Sequence, residues 1–178
     1  ALQKDRLRSS EDFAAVSQHL IERGITSPAH LGAEGGSNGG LLMGNMLTQY
    51  PQLYGAIVSE VALLDMRRYT KLSAGASWIA EYGDPDQPEE WDFIRHFSPY
   101  ENAKPDASYP PVLLITSTRD DRVGPAHARK MHAKLAAMGH PSHFYENMEG
   151  GHSAASDNKQ AAYVYALSYA FLWAHLAP

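Results

Sequence analysis

Apolar residues recur along the chain with two periods, and the alternation between them predicts the fold class. Phe13, Val16, Leu20 and Ile21 fall at helical spacing. Ser10-Glu11-Asp12 ahead of them reads as the helix start, a capping hydroxyl followed by acids that suit the positive end of the dipole, and Gly24 as its stop. A short stretch over 28–33 leads into Glu34-Gly35-Gly36-Ser37-Asn38-Gly39-Gly40, after which Leu41, Leu42, Met46 and Leu47 fit a helix ending near Gln49-Tyr50-Pro51. Residues 55–61 have the β-branched content of a strand. Residues 62–108 hold Gly75, Gly83, Pro85, Pro88, Pro99 and Pro105, an irregular segment of the kind that shapes a site. The apolar run 110–117 reads as a buried strand of a parallel sheet. A helix over 126–138 closes at Gly139-His140-Pro141, and 143–147 reads as a further strand. A long terminal helix covers 158–176, with apolar side chains at Ala162, Tyr165, Ala166, Tyr169, Phe171, Leu172 and Trp173. Strands alternating with helices imply an α/β fold, a mostly parallel sheet flanked by helices.

Composition narrows the function. The 178 residues are enough for one domain with a real core, and 44% hydrophobic with 20% charged residues is ordinary globular usage. A formal charge of -5 gives nucleic acid or an anionic membrane surface nothing to bind, and no apolar run approaches the ~20 residues of a membrane span. With no cysteine there is neither disulfide nor thiolate chemistry. The charged start Ala1-Leu2-Gln3-Lys4-Asp5-Arg6 lacks a signal-peptide core and an initiator Met, so the chain is expected to begin inside a longer protein. Its compartment stays open, with the cytoplasm as the default.

The chemistry centres on Gly35-Gly36-Ser37-Asn38-Gly39-Gly40, a G-x-S-x-G pattern between strand and helix. Such a serine sits on a tight, strained turn, and flanking glycines leave room for the strand and helix backbones. The helix that follows aims its first N–H groups at a developing oxyanion, the Asn38 amide being the natural donor. A serine hydroxyl needs a base, and that base needs an orienting carboxylate. In this arrangement acid and then histidine follow the serine, each in a loop after a strand. The strand over 112–116 runs into Asp120-Asp121, and the strand over 143–147 runs into Gly150-Gly151-His152. Ser37, Asp120 and His152 therefore form a candidate triad. Of nine histidines, most read as surface residues, among them His19, His127, His132 and His175 on predicted helices. No tight ligand spacing points to a metal, and no cofactor is implied. Asp65 is a competing acid but is out of order.

At these residues the sequence resembles the prolyl oligopeptidase family of serine peptidases. The matching stretches are residues 35–42, Gly75-Ala76-Ser77-Trp78 with Glu81-Tyr82-Gly83, Thr118-Arg119-Asp120-Asp121-Arg122-Val123, and Glu149-Gly150-Gly151-His152. The resemblance assigns the triad acid to Asp120 and implies that Arg122 holds a substrate backbone carbonyl. It implies that Trp78 stacks on the proline before the scissile bond, with Tyr82, Leu63 and Val123 lining the same pocket. A flat indole suits a rigid pyrrolidine, and a guanidinium suits a carbonyl. Without the resemblance, core packing of Trp78 and Tyr82 and an ion pair of Arg122 with Asp121 or Asp106 are equal alternatives.

The departures carry expectations too. The family's β-propeller, the early strands of its α/β-hydrolase domain and a tyrosine serving as second oxyanion donor have no counterpart in residues 1–178, which read as the C-terminal part of that domain. The reading is a peptidase cutting short peptides after proline through an acyl-enzyme, weak or inactive as this chain alone and prone to self-association through an exposed sheet edge. The rivals are an esterase or related exopeptidase on the same scaffold, and a non-catalytic remnant that needs a partner chain.

Overall fold

The computed structural model describes residues 1–177. Four parallel strands form one sheet in chain order: β1 (Gly32–Gly36), β2 (Ala56–Glu60), β3 (Val112–Ser117) and β4 (Ser142–Asn147). Among the described residues there are seven α-helices: α1 (Leu7–Glu22), α2 (Asn38–Gln49), α3 (Ile79–Tyr82), α4 (Pro88–Ile94), α5 (Pro99–Asn102), α6 (Ala126–Ala137) and α7 (Asn158–Leu176). The sheet flanked by helices is the expected α/β architecture, and no described helix is long and apolar enough to cross a membrane.

Every residue of β3 is buried, as a central parallel strand with helices on both faces requires. Its side chains alternate between two cores. Ile57, Val112 and Leu114 join Met43, Met46 and Leu47 of α2 and Met131 and Leu135 of α6 on one face. Val58, Leu113 and Ile115 join Val164 of α7 on the other, with Leu167 and Phe171 packed alongside. A third cluster lies in the connection from β2 to β3, where Leu63, Met66, Tyr69, Tyr82, Ile94 and Phe97 bury one another with Leu41 of α2 and Val123 of the loop after β3. The segment 62–108 thus contains three short helices joined by 3₁₀ turns and builds its own core.

The first helix departs from the expectation. It starts at Leu7, and Ser10 is a buried interior residue, not its cap. The reason is packing: Ser10, Ala14 and Ser17 form a narrow buried face, the Ser17 hydroxyl lying 2.7 Å from that of Tyr54. Val16, expected on the apolar face, is 62% exposed. In α7 only Val164 and Ser168 are buried, and Tyr165, Tyr169 and Trp173 face outward. Two sheet edges remain open among the described residues, one along β1 and one along β4.

Candidate active site

Ser37 occupies the turn between β1 and α2 with φ 58° and ψ -116°, a left-handed conformation that a non-glycine residue adopts only when its surroundings impose it. Its own N–H donates to the Glu60 carbonyl at 2.8 Å, which clips the turn to the end of β2. Two glycines make the turn sterically feasible. A Cβ on Gly35 would lie 2.7 Å from the Gly39 carbonyl oxygen, and one on Gly40 2.5 Å from the Ala62 Cβ. The Asn38 amide is the first N–H of α2 and donates to no protein acceptor among the described residues.

The structure brings Ser37, Asp120 and His152 together. Ser37 Oγ lies 2.9 Å from His152 Nε2, and His152 Nδ1 lies 2.8 Å from Asp120 Oδ2. The Asp120 side chain is fully buried, and its other oxygen accepts the N–H groups of Arg122 at 3.0 Å and Val123 at 2.9 Å. Asp121 is exposed, so the first aspartate of the pair is the one turned inward. The loops bearing Asp120 and His152 are laced together: the Thr118 N–H donates to the Asn147 carbonyl and the Arg119 N–H to that of Gly150. Asn147 folds the second loop, its Oδ1 accepting the N–H groups of Glu149 and Gly150 at 2.9 and 2.8 Å. A carboxylate fixed by two backbone donors orients the imidazole so that its lone pair meets the serine hydroxyl.

The residues expected to line a substrate pocket also converge. Leu63, Tyr82 and Val123 are buried in the third apolar cluster, with half-buried Trp78 packed against it. Arg122 is exposed and makes no side-chain ion pair among the described residues. Tyr82 has a further bond: its hydroxyl donates to Asn38 Oδ1 at 3.0 Å. Burial pushes this phenol up to about 12, against the opposing pull of the nearby Arg6 cation.

Two residues escaped the reading of the sequence. Arg6 contacts Asn38, Glu81 and Tyr82, although nothing in its local sequence marks it. His127, read as a surface residue, is 1% exposed, because α6 turns it against the chain after β2. Its Nδ1 accepts the N–H groups of Leu64 at 3.3 Å and Asp65 at 3.1 Å, and burial pushes its pKa down to about 4. Asp65 is wholly buried in ion pairs with Lys130 and Arg68, which accounts for it without catalysis. No group of three or more His, Cys, Asp or Glu side chains among the described residues is placed to hold a metal ion.

Residues 3–178 match the model of the prolyl oligopeptidase family. An uncharacterised peptidase of Sinorhizobium fredii is 53% identical over 98% of this chain, which corresponds to 24% of that protein. A prolyl endopeptidase of Elizabethkingia miricola is 42% identical over 71% of the chain and 18% of its own length. Among solved structures, a post-proline cleaving enzyme from Rickettsia typhi superposes with a TM-score of 0.96 at 42% identity, over 99% of this chain and 26% of that one. The chain thus spans about a quarter of these two longer matches, the Sinorhizobium protein and the Rickettsia enzyme. Sequence and fold agree along essentially the whole chain, and it belongs to the prolyl oligopeptidase family.

Proposed function

We propose that this chain is the nucleophile-bearing part of a serine peptidase that hydrolyses short peptides on the carboxyl side of proline. The observation that carries the reading is the line Ser37 Oγ to His152 Nε2 at 2.9 Å and His152 Nδ1 to Asp120 Oδ2 at 2.8 Å. Ser37 attacks the scissile carbonyl while His152 takes its proton; the same imidazolium then protonates the departing amine, leaving an acyl-enzyme. Water, deprotonated by His152, releases the acid and regenerates the serine. Asp120 holds the imidazole with its proton on Nδ1. The Asn38 amide donates to the oxyanion. Trp78 stacks on the proline ring, Leu63, Tyr82 and Val123 close the pocket around it, and Arg122 binds a backbone carbonyl of the substrate.

The substrate class is supported by the apolar cluster holding Trp78, Leu63, Tyr82 and Val123, and by similarity to proteins named prolyl endopeptidases. With one backbone donor at the oxyanion and an open edge on β1, turnover by this chain alone is slow, and the chain self-associates through that edge.

The test is labelling of the purified chain by a fluorophosphonate beside a Ser37→Ala control, followed by turnover of prolyl and alanyl esters. Labelling lost in the control, with the prolyl ester preferred, is the expected result. A folded chain that is never labelled overturns activity of this chain on its own. Equal turnover of both esters overturns proline selectivity and leaves a general esterase.

A further inference from the structure

The side chain of Asn38 is held from two directions. The Tyr82 hydroxyl donates to its Oδ1 at 3.0 Å, and the Arg6 guanidinium donates to the same oxygen. Arg6 is in turn fixed by three further contacts: its Nη1 pairs with Glu81 at 2.8 Å and reaches the Ala1 carbonyl at 3.4 Å, and its guanidinium carbon lies 4.9 Å from the centre of the Tyr82 ring. Its side chain is only 12% exposed although it sits at the very start of α1. A cation packed into such an arrangement is oriented, unlike a solvated surface arginine.

The position of the clamp gives it a consequence. Asn38 opens α2, where the first backbone N–H groups lack intrahelical acceptors. Ser37 is the N-cap of α2 and Asn38 its first helical residue, and an asparagine carbonyl left free at that position turns to the unpaired backbone N–H groups beside it. Here the Asn38 amide is the oxyanion donor, so a free Oδ1 competes with the substrate oxygen. We propose that Arg6 is a positioning residue, holding the Asn38 carbonyl away from the N-terminus of α2 so that the Asn38 amide stays aimed at the oxyanion. The proposal rests on the serine peptidase reading and goes beyond it in assigning a role to Arg6, with Glu81 as the carboxylate that orients it.

The test compares the full chain with Arg6→Met, Arg6→Lys and Glu81→Gln, reading the second-order rate of Ser37 phosphonylation by a fluorophosphonate and the ¹⁵N–¹H resonance of the Asn38 amide. Arg6→Met is expected to slow phosphonylation about tenfold, short of the ~10²–10³ that follows outright loss of an oxyanion donor. Arg6→Lys, which keeps the charge, restores most of that rate. Glu81→Gln gives an intermediate loss and keeps the proposal testable if Arg6→Met fails to fold. The Asn38 resonance moves in the slowed variants. Wild-type rates in Arg6→Met and Glu81→Gln with an unmoved resonance overturn the proposal. A wild-type chain that is not labelled, but whose Asn38 resonance moves in Arg6→Met, sinks activity of this chain on its own and leaves the clamp standing. An unlabelled chain with an unmoved resonance sinks both.

Discussion

Asp120 divides its carboxylate between His152 and its own loop, Oδ2 meeting His152 Nδ1 at 2.8 Å while Oδ1 accepts the Arg122 and Val123 amides. The division fixes the outcome of an Asp120→Asn exchange. The two backbone donors keep the asparagine oxygen, so its NH₂ turns toward His152 and donates to Nδ1. The imidazole proton then moves to Nε2, which no longer accepts from Ser37. We expect kcat of the catalytically competent protein to fall by about 10⁴ with the fold intact, because the lost quantity is a tautomer and not a contact. Steady-state kinetics with circular dichroism checks this; a loss below tenfold would contradict the assigned role.

The turn at Ser37 makes opposite demands on neighbouring glycines. A methyl at Gly40 meets the Ala62 Cβ at 2.5 Å and the Glu60 carbonyl at 2.7 Å, backbone and packed side chain that have no room to retreat. A methyl at Gly39 meets nothing within 4 Å. Gly40→Ala is expected to lower stability by about 1–3 kcal/mol through overpacking. Gly39→Ala is expected to be neutral or to gain up to about 1 kcal/mol of helix propensity. Urea denaturation of the two variants checks the contrast, and equal effects would refute it.

Much of this arrangement was legible in the sequence, for physical reasons that also mark where it was not. β3 announced itself because a strand buried on both faces needs an unbroken apolar run. The convergence of Ser37, His152 and Asp120 was legible because the three residues each follow a strand in fixed order, a constraint of topology carried in one dimension. Arg6 was illegible because its partners Asn38 and Glu81 lie 32 and 75 positions away, and an arginine beside charged residues reads the same when solvated. His127 failed for a similar reason: its helix is polar in sequence, and its burial comes from chain 62 and 63 positions distant. Ser10 misled differently, since a hydroxyl before two acids matches a cap signal, whereas close packing beside Ala14 and Ser17 took the serine for its small size.

Buried His127 gives stability a pH dependence whose sign follows from its environment. Burial holds the folded imidazole neutral down to about pH 4, whereas an unfolded histidine takes its proton near 6.5. Between these values the unfolded chain binds more protons, so stability is full above pH 6.5 and falls as pH drops toward 4. The term is worth about 3 kcal/mol across the window. Glu60 and Glu101, whose carboxyls burial raises, act in the opposite direction and must be separated from it. His127→Asn keeps an acceptor for the Leu64 and Asp65 amides without titrating. The wild-type minus variant difference in unfolding free energy should therefore shrink from pH 7 to pH 4, and a flat difference would show that His127 is not the titrating group.

The outer face of α7 and the open edge of β1 make a prediction about association. Tyr165, Tyr169 and Trp173 are 58%, 62% and 75% exposed at successive helical turns, whereas a helix apolar on both faces is normally covered. Leu172 and Leu176 approach the backbone at Gly32, which places this stripe beside the strand whose second edge is unpaired. The two features form one surface, apolar side chains next to free backbone donors and acceptors, the combination that draws polypeptide chains together. The chain is expected to sediment as more than a monomer at micromolar concentration. Tyr169→Glu with Trp173→Glu puts two charges on that stripe without touching residues that hold Ser37, Asp120 or His152. The double variant should therefore shift toward monomer while keeping whatever rate of Ser37 phosphonylation the parent shows. A wild-type chain that is monomeric throughout would refute the prediction, as would a double variant that remains associated.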